Sequence, residues 1–237
     1  MTRVMREYLA SVADIDRNVG RVLGLLDSLQ LADDTLVIFS SDHGYNVGHH
    51  GLQYKGNALW RLRSLPPRRW PFIHPKRRPN MFDTSTKVPT VVRWPGVVTA
   101  GSTLTNTVSN LDWFPTLCEV AGAKIPEAVP RRGRSIVPLL RGGAQAWSDE
   151  LYFEYSMHHG SSVTMRAVRT PEWKLMRDFR NAGRAELYDL KNDPGETRNL
   201  IGSASTRHQR IARELDRKIG AKMSEVNDPE QFRYRPL

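Results

Sequence analysis

Residues 35–44 read TLVIFSSDHG, a β-branched and apolar run that ends in Asp42, His43 and Gly44. A strand covered on both sides has no reason to alternate polar and apolar residues, so Thr35 to Ser41 reads as a strand buried on both faces. Upstream, Tyr8, Val12, Ile15, Val19, Val22, Leu26 and Leu29 recur at spacings of three and four. That period predicts one amphipathic helix over residues 4–30. A helix leading into a buried strand is half of a parallel α/β sheet, and the expected class is α/β. Ligands of open α/β sheets collect beyond the carboxyl ends of strands, the place that Asp42 and His43 occupy.

Downstream, residues 44–80 show no periodicity and far exceed the usual connection of about 4–6 residues, which favours a functional loop. Strands are expected at Val88 to Arg93 and Thr103 to Ser109. A short helix follows Asp112 and ends at Gly122, and Ile136 to Leu140 is a short apolar segment. From about Trp147 the texture changes to aromatic strands, at Leu151 to Tyr155, Ser162 to Arg169, Trp173 to Arg177 and Glu186 to Asp189. Short strands joined by turns predict a small antiparallel sheet, closed by a helix over residues 206–226. The expected domains are therefore 1–146, a flanked and mostly parallel sheet, and 147–237, an α+β subdomain. Trp147, Trp173 and Tyr188 are expected to pack the small sheet onto the larger domain.

The 237 residues carry 35 Lys and Arg against 25 Asp and Glu, a formal charge of +10. Such a chain attracts polyanions, whether sulfated sugars, nucleic acid or anionic lipid. Neither a groove-reading helix nor a stacking sheet is apparent, so no specific nucleic-acid partner is expected. Cys118, the single cysteine, excludes an intrachain disulfide and a cysteine metal cluster, and reads as a core thiol. No apolar run reaches the roughly 18 residues of a membrane span. The first residues are amphipathic and charged rather than a signal peptide, which leaves the compartment open.

On their own, Asp42 and His43 allow two readings. They are ligands of a hard divalent cation, Ca²⁺ or Mg²⁺, or a turn aspartate beside a solvated histidine. Five blocks narrow the choice: FSSDHGYNVGHHGLQYKGN, MFDTSTKVPTVVRWPG, SNLDWFPTLCEVAG, GRSIVPLL, and WKLMRDF with ELYDLKNDPGETRNL. In this order, over about residues 8–202, the chain resembles the C-terminal half of type I sulfatases, of the alkaline phosphatase superfamily.

The resemblance implies an alkaline-phosphatase-like fold in which Ca²⁺ holds a sulfate ester. Asp42 and His43 match the later pair of metal ligands, the earlier two being aspartates near the family's N-terminus. Asp14 and Asp16 lie in the opening helix and read as surface groups. Lys55, in its Lys-Gly setting, matches the lysine that contacts sulfate. His50 matches a frequent family histidine and reads either as a catalytic hydrogen-bond donor or as a surface residue; His49 reads as surface. The family's nucleophile is a formylglycine, made from the Cys or Ser that opens a Cys/Ser-X-Pro/Ala-X-Arg motif near the N-terminus. That motif is expected to be absent from this chain, which is then inactive alone. Sulfated carbohydrate or aryl sulfate is the implied substrate. The alternatives are phosphate or phosphonate ester hydrolysis within the superfamily, and an inactive remnant that binds polyanions.

Two further features stay open. Trp60 to Arg78 holds seven Arg and Lys among aromatic residues and prolines, a lining for a polysaccharide site or a solvated insertion. His158 and His159 precede Gly160, as a specificity loop or as an exposed pair. If strands that pair with residues 35–41 lie outside the chain, an unpaired edge and exposed apolar surface are expected.

Overall fold

The computed structural model describes residues 2–61, 70–143 and 146–237. In chain order the elements are α1 (Thr2–Ser28), β1 (Val37–Phe39), β2 (Asn46–Val47), β3 (Leu52–Tyr54), β4 (Leu59–Trp60), α2 (Asp83–Thr86), β5 (Val91–Arg93), α3 (Trp113–Val120), α4 (Val137–Leu140), β6 (Leu151–His158), β7 (Ser162–Arg169), β8 (Trp173–Asp178), β9 (Glu186–Asp189) and α5 (Thr206–Glu225). They form two units, one of residues 1–42 with 88–149, the other of residues 43–87 with 150–237. The second unit thus takes in the long aperiodic segment as well as the C-terminal strands.

In the first unit β1 pairs β5 antiparallel, Val37 opposite Arg93 and Phe39 opposite Val91. The expectation of burial on both faces fails for β1: Val37 and Ile38 are half-buried and Phe39 is exposed, because a two-stranded ribbon offers little to cover either side. Residues 103–109 are irregular rather than a strand. α1 forms as its periodicity predicts, yet none of its described residues is buried. The unit's core is Ile136, Leu139 and Leu140 with Val92, Trp94, Trp113 and Trp147 around them. Trp147 belongs here, its indole N–H donating to Thr107 O at 2.8 Å. Cys118 is half-buried on α3, which buries Thr116 alone, so it is not the core thiol expected.

In the second unit β6, β7, β8 and β9 make an antiparallel sheet in that order. Both its faces are covered, and β7 therefore buries six consecutive residues instead of alternating. On one face Val168, Trp173, Leu175 and Leu187 meet Ala212, Leu215, Ile219 and Met223 of α5. On the other, Met165, Ala167, Met176 and Tyr188 meet Leu52, Ala58, Met81 and Phe82. Trp173 thus anchors the helix, not a larger domain: with Leu175 two residues on, it shares the face turned to α5. The aperiodic segment holds a small sheet of its own, β2–β3–β4, antiparallel throughout. Its strands of two or three residues are too short for alternation to show.

Candidate functional site

Beyond β1 the chain turns through Ser40 to Asp42. The Asn110 side-chain amide donates to Ser41 O at 3.0 Å and Asp42 O at 3.5 Å, and the Asp42 side chain is exposed. His43, the next residue, opens the second unit. Its Nδ1 lies 2.9 Å from Gly44 O, and its Nε2 meets Lys55 Nζ. A carbonyl oxygen only accepts, so Nδ1 carries the proton and Nε2 presents its lone pair to the ammonium. The structure therefore brings His43 and Lys55 together across eleven intervening residues.

The close contact has a visible scaffold, which the sequence reading missed. Gly44 N donates to Ser85 O at 3.0 Å, holding the loop against α2. Asn46, fully buried, donates to Tyr54 O at 2.7 Å and Ser85 Oγ at 2.8 Å, and accepts from Thr84 Oγ1 at 2.6 Å. Asn80, also buried, donates through Nδ2 to Lys55 O at 3.3 Å, through its backbone to Gly56 O at 2.9 Å, and accepts from Ser85 Oγ at 2.7 Å. Asn46, Ser85 and Asn80 thus tie the His43 loop to the carbonyls on both sides of Lys55. Tyr54 stands at φ 76°, a left-handed conformation unusual for an aromatic residue, immediately before Lys55. No signal in a single sequence distinguishes these amides from ordinary loop residues.

α2 is itself anchored. Asp83 receives Arg169 at 2.9 Å and the buried Lys174 at 2.8 Å, while its backbone N–H donates to Glu196 at 2.5 Å. Burial alone would raise the Asp83 pKa, but the hydrogen bonds and charges of Arg169 and Lys174 hold it down at about 2. Glu196, more deeply buried, is pushed up despite Lys174.

His50, at φ 55°, stacks on Phe82 with centroids 3.9 Å apart and planes at 12°. Burial, then electrostatic repulsion from Arg78 and from the neighbouring His49, lower its pKa to about 4. It is a neutral ring near pH 7. Arg78 lies 5.3 Å from the Phe82 centroid and forms two 2.7 Å bonds to Glu186. His49 is exposed.

The donor chemistry of Asp42 and His43 fits part of a hard-cation site. Asp42 offers carboxylate oxygen and His43 an imidazole nitrogen, but the Nε2 lone pair that would face a cation is turned to the Lys55 ammonium, so a metal there requires that contact to open. Two residues fall short of the six to eight ligands typical of Ca²⁺. Among the described residues no group of three or more His, Cys, Asp or Glu is placed to hold a metal. Nor is any described helix long and apolar enough to cross a membrane.

The basic residues Arg63, Arg68 and Arg69 lie outside the described residues. So does a stretch that corrects one expectation: Ser64-Leu65-Pro66-Pro67-Arg68 fits the letters of the formylglycine motif. It follows Lys55, whereas the family motif precedes the Asp42 strand, and five loosely defined letters are weak grounds for a nucleophile.

Two family models match the chain. Sulfatase covers residues 1–123 and the C-terminal region of N-sulphoglucosamine sulphohydrolase covers residues 73–225. Steryl-sulfatase of Mus musculus is 32% identical over 97% of this chain and 39% of its own length. A protein solved in complex with its substrate D-glucosamine-2-N,6-O-disulfate is 27% identical, with a TM-score of 0.78 over 96% of this chain and 42% of that one. The phosphonate monoester hydrolase of Agrobacterium radiobacter is 26% identical, with a TM-score of 0.71 over 90% of this chain and 40% of that one. The chain thus spans about two fifths of these relatives.

Proposed function

The chain belongs to the sulfatase family, and from that premise we propose that the complete protein hydrolyses sulfuric esters of a carbohydrate, with Lys55 contacting the ester's sulfate group. The observation that carries this reading is the Lys55 ammonium held against His43 Nε2 by a buried amide network. Carbohydrate is favoured by the likeness to the protein that binds glucosamine disulfate. The phosphonate hydrolase likeness fits the alternative reaction, but the sulfatase family model and the sulfatases of similar sequence favour the sulfuric ester.

In this reading Asp42 and His43 supply two ligands of a Ca²⁺ or Mg²⁺ ion, and the remaining ligands and the nucleophile come from the segment that the family places ahead of the Asp42 strand. The bound ion supplies positive charge against the ester oxygens. Lys55 adds a second positive charge there, where an ammonium stabilises charge that grows in the transition state. Gly44 O fixes the His43 tautomer and Asn46 and Asn80 fix the two loops, so only the Lys55 ammonium is displaced when a cation takes Nε2, and it is then released towards the sulfate. His50, neutral and stacked on Phe82, has the properties of a hydrogen-bonding wall rather than of a cation.

The test is kinetic. Lys55→Ala in the complete enzyme is expected to lower kcat/KM on glucosamine 6-sulfate by about 100-fold, a typical effect of removing one group that stabilises developing charge. Unchanged kcat/KM would remove Lys55 from the site. The isolated chain is expected to show no turnover of an aryl sulfate; turnover lost in Ser64→Ala would instead make Ser64 the nucleophile.

A further inference from the structure

The tip of the β6–β7 hairpin faces the segment after Trp70 across a cleft of about 640 Å³, within the range of small-molecule sites. Its two walls are tied together. Ile73 and Ser161 form an antiparallel bridge, Ser162 N donates to Phe72 O at 2.7 Å, and His74 N donates to Ser161 Oγ at 2.9 Å.

The lining combines a flat apolar face with nitrogen donors. Phe72 is 48% exposed, and Arg180, outside the lining, places its guanidinium 4.8 Å from that ring's centroid. His74 Nδ1 accepts from Lys76 N at 3.2 Å, so in the neutral ring Nε2 carries the proton and is a donor. His158 lies on the opposite wall, its Nδ1 paired with Ser162 Oγ at 2.9 Å. Among the described residues no acidic side chain lines the cleft.

Arg77 joins this cleft to the turn that carries Lys55. Its Nη1 donates to Asn57 O at 3.5 Å, and its Nη2 lies 3.1 Å from where a Cβ on Gly160 would stand. Gly160, at φ 62°, is thus the residue that lets the hairpin tip close on the guanidinium. One positive charge therefore lies between the Lys55-Gly56-Asn57 turn and the cleft.

We propose that the cleft is a second subsite, which takes a sugar residue bearing an anionic group next to the residue whose ester meets Lys55. This rests on the reading of Lys55 given above and narrows it to charged oligosaccharides. A sugar ring offers a face of C–H groups that packs on an aromatic plane and hydroxyls that need donors and acceptors. A sulfate or carboxylate on it needs cations without competing carboxylates. Phe72, the His74 and His158 rings and Ser161 line the cleft and meet the first of these needs, and Arg180 beside Phe72 and Arg77 beside Gly160 are the cations next to it.

The experiment follows the ring signals of His74 and His158 by NMR while the chain is titrated with a doubly sulfated disaccharide, its uronate-only counterpart, the fully desulfated and uncharged form, and inorganic sulfate. The sulfated disaccharide is expected to shift both signals, and the uncharged form to bind at least about tenfold more weakly. The uronate arm reports whether carboxylate is accepted in place of sulfate; either anion satisfies the proposal. Phe72→Ala should weaken binding by about fivefold, with His158→Gln as the second variant should Phe72→Ala fail to fold. Failure of the catalytic reading appears separately, as wild-type kcat/KM of Lys55→Ala in the complete enzyme. The proposal is overturned by silent His74 and His158 signals, by equal affinity for the uncharged form, or by inorganic sulfate reproducing the whole effect.

Discussion

At Gly44 an added Cβ would stand 2.4 Å from Thr84 O and 2.9 Å from Thr84 C, both backbone atoms of α2 that cannot swing aside. Gly44→Ala is therefore expected to cost about 2 kcal/mol, in the range of core overpacking, and to shift the His43 ring signals by displacing the loop. Urea unfolding and NMR check both, and a wild-type midpoint would show that α2 yields freely. Asp83 gives a prediction in pH. Its pKa in the fold, about 2, is below the ordinary 3.8, so its contribution is fully present above about pH 4 and is lost as pH falls towards 2. That contribution is about 2 kcal/mol, from the relation of 1.36 kcal/mol per pKa unit. In urea titrations the stability gap between the wild type and Asp83→Asn should narrow between pH 4 and 2; a constant gap would deny the carboxylate its part. Glu196, pushed up by burial and further by the Asp83 charge, works in the opposite direction, so the gap reads Asp83 together with its effect on Glu196.

Among the elements, β2, β3 and α2 are too short to hold themselves and depend on Asn46, Ser85 and Asn80 between them. Asn46→Ala and Asn80→Ala should each cost about 1–3 kcal/mol by leaving buried partners unsatisfied. The double variant should cost less than the two together by about 1 kcal/mol or more, since both amides share Ser85 Oγ. Strict additivity in a double-mutant cycle would dissolve the network into independent bonds. This is also where sequence reading stops. α1 and α5 were legible because more than three repeats of a 3.6-residue period fit inside each, and β6 and β7 because each runs to eight residues. β2 and β4 hold two residues apiece, too few for any period. His43 and Lys55 were legible as members of a family order, but the amides that bring them together come from positions 46, 80 and 85, which only the tertiary fold places side by side. The exchange of Trp173 for a helix anchor has the same origin, because alternation gives its face but not the neighbour on that face.

For the molecule as a whole, the distribution of apolar surface conflicts with its charge. A formal charge of +10 should keep copies apart. Yet Leu9, Ile15, Val22 and Leu25 of α1 and Leu29 just beyond it are each more than half exposed, as are Val91 on β5 and Phe114 on α3. Patches of this extent on a soluble chain are normally interaction surfaces, and β1–β5 adds a two-stranded ribbon of marginal stability. Apolar burial is non-directional and gains strength with area, whereas repulsion between surface charges is screened within about 8 Å at physiological salt. Association of the isolated chain is therefore expected at ordinary ionic strength. Light scattering after size exclusion should give a mass that rises with concentration and rises further in ammonium sulfate, which strengthens apolar burial while weakening any purely ionic contact. Ile15→Glu with Val22→Glu, seven residues apart on one stripe of α1, should lower both the association and the binding of an apolar dye. The same pair should leave the unfolding of the β6–β9 sheet and α5 unchanged, because that core is built from other residues. A chain that stays monomeric at every concentration and salt would mean that charge outweighs the exposed stripe.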